Sequence, residues 1–233
     1  MVKRKTTQKE ETQVKKRDHV VLTLPELAYS QLEELIVTLR IAPGTVISEA
    51  ELSDMLSIGR TPIREALQKL AAQRLVKIMP RRGLVVSEID VRAQLRLLEI
   101  RREVERLICR AAARRAMPDE SRRFSELAME FKRSATDGDE KRFVRIDREF
   151  NELCVTSARN EFAASAMHLM QPLSRRFWVW QHKQAADLTL SAKLHADVAK
   201  AIAAGDESGA AIASDALIDA LQDIARATIL TEF

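Results

Sequence analysis

Two groups of residues in this chain have the types and spacing to do chemistry. In "SIGRTPIREAL", Ser57 to Leu67, Arg60 and Arg64 stand around the first turn of a helix. A helix N-terminus carries partial positive charge and disfavours cations, so these arginines call for an anionic partner from outside the helix. Gln68 lies four residues beyond Arg64 on the same polar side. Ser48 and Thr61 add hydroxyls, and Arg81 and Arg82 stand just before Gly83 in "MPRRGL". The second group lies in the C-terminal half. "LLEIRREVE" sets Arg101 and Glu105 four apart, "RIDREFNEL" sets Asp147 and Asn151 four apart, and "KLHADVAKAIAAGD" places His195 among Leu194, Val198 and Ile202. Asp147, Asn151 and His195 bring a carboxylate, an amide and an imidazole, while Arg101 and the basic "RRFWVWQHK", with Arg175 and Arg176, bring cations that suit an anion. Each feature also has a plain alternative. Asp147 could pair with Arg145 and Arg148 at the surface, and His195 could be a hydrogen-bonded core residue. Arg101 with Glu105 could be an ordinary helix salt bridge, and the tryptophans could be packing.

The elements that must position these groups can be read from periodicity. "PELAYSQLEELIVTLR" carries Leu27, Leu32, Leu35, Ile36 and Leu39 at helical spacing. "IAPGTVIS" reads as a turn. Ser48 and Glu51 form a capping-box pattern that opens a short second helix, and Gly59 closes it with freedom to take a positive φ. Thr61 is the expected N-cap of the third helix, with Pro62 at its first position. Ile63, Ala66, Leu67, Leu70 and Ala71 make its apolar stripe, opposite Arg60, Arg64 and Gln68. "RLVKIM" and "LVVSEI" flank "PRRG" as two short strands around a tight turn. Three helices followed by a hairpin with a basic tip is the plan of a winged helix-turn-helix.

Beyond Asp90 only helical patterns remain, six or seven of them. They cover Val91 to Ala116, Asp119 to Ala135, Glu140 to Ser157, Leu188 to Ala203 and Glu207 to Ile229. One or two more span Asn160 to His182, where Pro172 is expected to break or kink the helix. The fold class is therefore mainly α: an N-terminal winged helix-turn-helix, then an all-helical bundle. The expected organisation is a disordered basic arm over 1–19, a winged helix-turn-helix DNA-binding domain over 20–88 and an all-helical domain over 89–233.

The 233-residue chain carries a formal net charge of +4, too small alone to name nucleic acid as a partner. The distribution is more informative, because Met1 to Arg17 holds seven Lys or Arg against two Glu. That arm is either a plain solvated tail or a source of non-specific phosphate affinity. No apolar run is long enough for a membrane span and no hydrophobic signal segment opens the chain, so a cytoplasmic protein without membrane contact is expected. Cys109 and Cys154 read as reduced core residues.

The stretch "ISEAELSDMLSIGRTPIREALQKLAAQRLVKIMPRRGLVV" resembles the DNA-binding domain of the GntR family of bacterial transcription regulators, over about Leu24 to Val86. Its "RTPxREAL" core is highly specific. The resemblance places base and phosphate contacts on Arg60 and Arg64, a hydroxyl contact on Thr61, and a wing glycine at Gly83, with Ser48, Gln68, Arg81 and Arg82 as further contacts. A position that carries a DNA-contacting arginine in a fatty-acid-responsive member is Ala50 here.

The second half, about Val91 to Ile229, resembles the FCD effector domain of the FadR subfamily. It does so through "ExRxxxE", a "DxxFH"-like "DREFN", Asn160, and the eleven-residue spacing from His195 to Asp206. Many such domains bind a divalent metal through one Asp and three His. The corresponding positions here are Asp147, Asn151, His195 and Leu217, so for Zn²⁺, Ni²⁺ or Mn²⁺ two usual ligands and one amide remain. The resemblance implies a homodimeric repressor of a palindromic double-stranded operator. A small carboxylate or related metabolite, held by Arg101, Asp147, Asn151, His195 and Arg175, would modulate it. An alternative keeps the DNA reader with a ligand-blind helical module. A metal-dependent hydrolase is disfavoured by the missing ligand and by the absence of a Ser/Cys–His pattern. An enzyme is therefore not expected.

Overall fold

The structure is a computed structural model that describes residues 22–79, 83–182 and 188–231. The basic arm and the hairpin-tip residues Arg81 and Arg82 lie outside the described residues. Helices α1 (Leu24–Val37), α2 (Glu49–Leu56) and α3 (Arg60–Ala72) come first, with strand β1 (Val46–Ile47) between α1 and α2. Strands β2 (Val76–Met79) and β3 (Gly83–Val86) follow, and the antiparallel sheet runs in the order β1-β3-β2. Ala28, Leu32 and Ile36 of α1 meet Leu52, Ile63, Leu67, Leu70 and Val86 in one apolar core.

Two local expectations change. The segment read as a turn contains β1, whose Val46 and Ile47 pair with Val85 and Leu84. Two residues are too few to show a periodicity, so this strand exists only through its partner. The third helix begins one residue before Thr61. Gly59 is the N-cap, with φ near −57°, and the left-handed residue is Ser57 at φ 54°. Ser57 ends α2 with its N–H donating to Asp54 O, and Ile58 N–H reaches back to Ser53 O at 3.2 Å. The reversal is complete before Gly59, which needs no positive φ. Pro62 sits at the third helical position, where its missing N–H still costs nothing because the first four have no intrahelical acceptor.

The C-terminal half contains, among the described residues, α4 (Val91–Arg115), α5 (Pro118–Asp137), α6 (Glu140–Ala158), α7 (Glu161–His182), α8 (Leu188–Ala203) and α9 (Glu207–Thr231). Its core is aromatic at the centre, where Phe124, Phe131, Phe143 and Phe150 are all buried among α4, α5, α6 and α8. The Phe131 ring lies 5.6 Å from both Phe143 and Phe150, edge-on. Cys109 and Cys154 are buried free thiols, and burial, with a hydrogen bond to Cys109, pushes Cys154 well up. Asn160 caps α7 by accepting from Phe162 and Ala163 N–H.

Pro172 does not break α7, which runs continuously through it. A proline inside a helix leaves the carbonyl four residues back without its donor. Here that carbonyl belongs to His168, and Gln73 Nε2, from the end of α3, donates to it at 2.9 Å. The orphan acceptor created by the proline thus becomes a bond between the two halves. Leu173 adds an apolar contact onto the N-terminal core, and Arg176 Nη1 donates to Ser87 O at 2.8 Å. Helix α7 is therefore the main bridge between the halves, with Arg148 of α6 reaching Glu34 of α1 beside it.

Candidate functional site

Helix α3 buries Ile63, Ala66, Leu67 and Leu70 and exposes Arg60, Thr61, Arg64 and Gln68. A groove of about 560 Å³ brings together Ser48, Glu49, Arg64, Gln68, Met79 and Gly83, joining the helix face to the wing. Gly83 has φ 84°, and a Cβ there would lie 3.3 Å from Ile47 O, so glycine is required both by its backbone and by the close pass of β1. Ser48 Oγ accepts from Glu51 N–H at 3.1 Å, and its hydroxyl and backbone N–H bond the Glu51 carboxylate and hold it below its usual range. Ala50 supplies no cation.

The fork of Arg64 is held from below. Its Nε donates to Glu49 Oε1 at 2.9 Å and its Nη2 to Glu49 Oε2 at 2.7 Å. That hydrogen bonding, then the charge, keeps the Glu49 carboxyl below its usual range and raises Arg64. Sequence reasoning missed Glu49. Fifteen residues separate it from Arg64, and only the packing of α2 against α3 brings them together.

In the C-terminal half the residues singled out by type do converge. Arg101, Asp147, Asn151, Arg175 and His195 line one cavity of about 40 Å³, together with Phe143, Gln171, Ser174 and Trp178. At the 10–15 Å³ that a water needs, this volume takes roughly three waters or one small carboxylate. Trp178 stacks on Phe143 with centroids 5.0 Å apart and forms part of the wall.

His195 is fixed on both sides. Nδ1 lies 2.7 Å from Ser191 O and Nε2 3.0 Å from Asp147 Oδ1, and the imidazolium can donate to both. Its ring sits against Phe131 and Phe143, at 5.0 and 5.4 Å. Burial would push the Asp147 carboxyl up, yet the His195 hydrogen bond and charge, with Arg175 and Arg101 beyond, hold it below its usual range. Asn151 Nδ2 donates to Asp147 Oδ1 at 3.0 Å and to Asp147 O at 2.8 Å. Arg101 Nε donates to Glu105 Oε2 at 2.7 Å, and both side chains are more than nine-tenths buried.

Arg101 and Glu105 do make the helix salt bridge, but a buried one, and the surface ion pair offered for Asp147 does not form. Asp147 pairs with His195 on another helix, and Arg148 instead reaches Glu152 on its own helix and Glu34 of α1. Of the two arginines offered as anion holders, Arg175 lines the cavity. Arg176 points away, to the carbonyls of Ser87 and Glu88, and burial lowers its guanidinium to about 10. Asp215 engages Arg102 and Arg106 of α4 and takes no part in the cavity.

The donor set fits a divalent metal poorly. Leu217, at the fourth ligand position, is buried in the apolar core. The Asn151 amide presents its N–H₂ to the Asp147 carboxylate, where a ligand would present oxygen. Among the described residues no three His, Cys, Asp or Glu side chains are grouped to hold an ion. Two guanidiniums supply the positive charge that a metal would bring.

Comparison with known proteins gives two family models that match this chain. "Bacterial regulatory proteins, gntR family" covers residues 24–86 and the FCD domain covers residues 96–220. Among curated proteins, the chain is 43% identical to the HTH-type transcriptional repressor RspR of Escherichia coli over 86 residues, 36% of this chain and 37% of that protein. It is 26% identical to the Nta operon transcriptional regulator of Aminobacter aminovorans over 157 residues, 64% of this chain and 72% of that one. The matches to the most similar curated relatives span about a quarter to three-fifths of those proteins' length. Among solved structures, E. coli McbR/YncC superposes with a TM-score of 0.78 at 17% identity, covering 90% of this chain and all of that one, a likeness of fold.

Proposed function

This chain belongs to the gntR family of bacterial regulatory proteins and carries an FCD domain, and from that premise we propose that it is a repressor that reads a palindromic operator as a homodimer and responds to a small carboxylate. The observation that carries the DNA-reading half is the exposed Arg60–Thr61–Arg64–Gln68 face opening onto the same groove as Ser48 and Gly83. An α3 helix of this kind enters the major groove, with arginines at its start reaching guanine edges or phosphate. Glu49 pre-orients the Arg64 fork, reducing the rotamer freedom lost on docking.

The effector cavity is read as metal-free. Arg101 and Arg175 attract the carboxylate, and the Asn151 amide orients it. His195, fixed by Ser191 and Asp147, closes the polar end, while Phe143 and Trp178 exclude water. Two-fold pairing through the helical half suits a palindrome. Ile100 and Leu107, seven residues apart and exposed on α4, mark the face for it. A DNA reader of this kind would work in the cytoplasm, and no described helix is long and apolar enough to cross a membrane.

The test begins with DNA selected by the purified protein from a random-sequence pool. Arg64→Ala should lose that DNA in a gel shift while helical content and dimer mass are unchanged, and retained affinity would remove α3 as the reader. Acetate, a small carboxylate probe, should weaken the wild-type complex at matched ionic strength, and His195→Ala should blunt that response. No acetate effect would favour a ligand-blind helical half.

A further inference from the structure

Arg175 lies between two cavities. On one side is the effector cavity. On the other is a cleft of about 190 Å³ between the halves of the chain, lined by Tyr29, Glu33, Gln73, Arg148 and again Gln171 and Arg175. Gln171 and Arg175 form the shared wall. In the cleft, Arg175 Nη1 stands 3.4 Å from Glu33 Oε1 and Nη2 3.5 Å from Glu34 Oε2. These contacts are long for charge-assisted hydrogen bonds, which centre on 2.7–2.9 Å. The same guanidinium acts electrostatically on Asp147 across the wall. It is divided among three carboxylates and closely bound to none of them.

We propose that Arg175 is a shared clamp for which a bound carboxylate and the α1 residues Glu33 and Glu34 compete, so that filling the cavity loosens the docking of α1 on α7. The proposal rests on the anion-pocket reading above and adds how that pocket communicates with the DNA reader. Glu33 is the sensitive end. Burial pushes its carboxyl up, and Arg175 and then Arg148 oppose that. When Arg175 turns toward a carboxylate, Glu33 keeps only the weaker hold of Arg148, whose nearest contact to α1 is 3.8 Å, to Glu34. A buried carboxylate short of its cation is costly, and the cost falls on the α1–α7 contact. The remaining ties, Gln73 to His168 O and Arg176 to Ser87 O, keep the halves tethered while α1 is freed to move. Coupling of this kind is reciprocal, so removing the internal competitor must tighten the carboxylate.

Hydrogen exchange on the full-length protein tests this, with acetate as the probe and chloride at matched ionic strength as the control. Acetate should slow exchange over residues 143–151 and 171–179 and speed it over residues 24–37. In Glu33→Gln/Glu34→Gln, α1 should exchange fast without acetate and gain nothing more from it, and acetate should bind about fivefold or more tighter. Arg175→Lys keeps a charge but loses the fork, so it should weaken acetate binding and abolish the α1 response together. Protection of the cavity with no change in α1, or a double variant with unchanged acetate affinity, would overturn the shared clamp and leave the pocket standing. Absence of any cavity protection would remove the pocket itself, and the clamp with it.

Discussion

The buried Arg101–Glu105 pair supports a two-signed prediction. Arg101 Nε is committed to Glu105 at 2.7 Å inside α4, while the guanidinium also lines the effector cavity. Two unit charges about 4 Å apart at an effective dielectric constant near 20 attract by about 4 kcal/mol. Desolvating both offsets much of that, so the pair as a unit is close to neutral, while removing one partner costs about 3–5 kcal/mol. Glu105→Ala should therefore lose about 3–5 kcal/mol of unfolding free energy. Glu105→Gln, whose amide oxygen can still accept from Nε, should lose less, about 1–3 kcal/mol. The double Arg101→Met/Glu105→Leu should recover most of the loss. Urea unfolding followed by tryptophan fluorescence is suited to this, because Trp178 and Trp180 both lie on α7 and report on the helical half. The second sign is functional. Glu105→Gln releases charge on Arg101 toward the cavity and should tighten acetate, whereas Arg101→Gln should weaken it. A cost below about 1 kcal/mol for Glu105→Ala, or weaker acetate binding in Glu105→Gln, would refute the assignment of Arg101 as a buried, partly neutralised anion holder.

Other outcomes follow from the same geometry. Arg64→Ala should reduce affinity for selected DNA by about 5- to 150-fold per half-site, the worth of one bidentate base contact, measured by gel shift at fixed salt. Glu49→Gln should leave Arg64 present but unoriented, so discrimination between selected and random DNA falls more than total affinity does in competition binding. Phe131→Ala, under His195 and fully buried, should cost about 3–5 kcal/mol in the tryptophan-reported transition. Asp147 has a depressed pKa, so its stabilisation is complete above the usual aspartate value of 3.8 and is lost as pH falls through the lower folded value. Asp147→Asn should therefore flatten the acid limb of the stability–pH curve below about pH 4.

Much of the fold was legible because its elements are long and strongly periodic. The helices of the C-terminal half were placed to within a few residues, and the winged hairpin was recognisable from its turn chemistry. What failed was short or non-local. Strand β1 has only two residues and is defined by its partner β3. The start of α3 depended on Ser57 taking the left-handed turn, which a non-glycine residue does not advertise. Pro172 signals a break or kink, yet α7 runs through it, because the carbonyl it orphans on His168 is bonded by Gln73, 95 residues from His168.

The candidate site divides along the same line. Residue type and i, i+4 spacing select Arg60, Arg64, Arg101, Asp147, Asn151 and His195, because a helix fixes which side chains share a face. Spacing along one helix cannot say what faces it across a gap. Only the packing of α6 on α8 turns Asp147 toward His195, and only α2 on α3 brings Glu49 beneath Arg64. Arg175 and Arg176 are adjacent and chemically identical, yet one lines the cavity while the other holds the Ser87–Glu88 linker. Adjacent residues on a helix point about 100° apart, so the sequence determined that two cations stand there, and the docking of α7 between the two halves decided what each one touches.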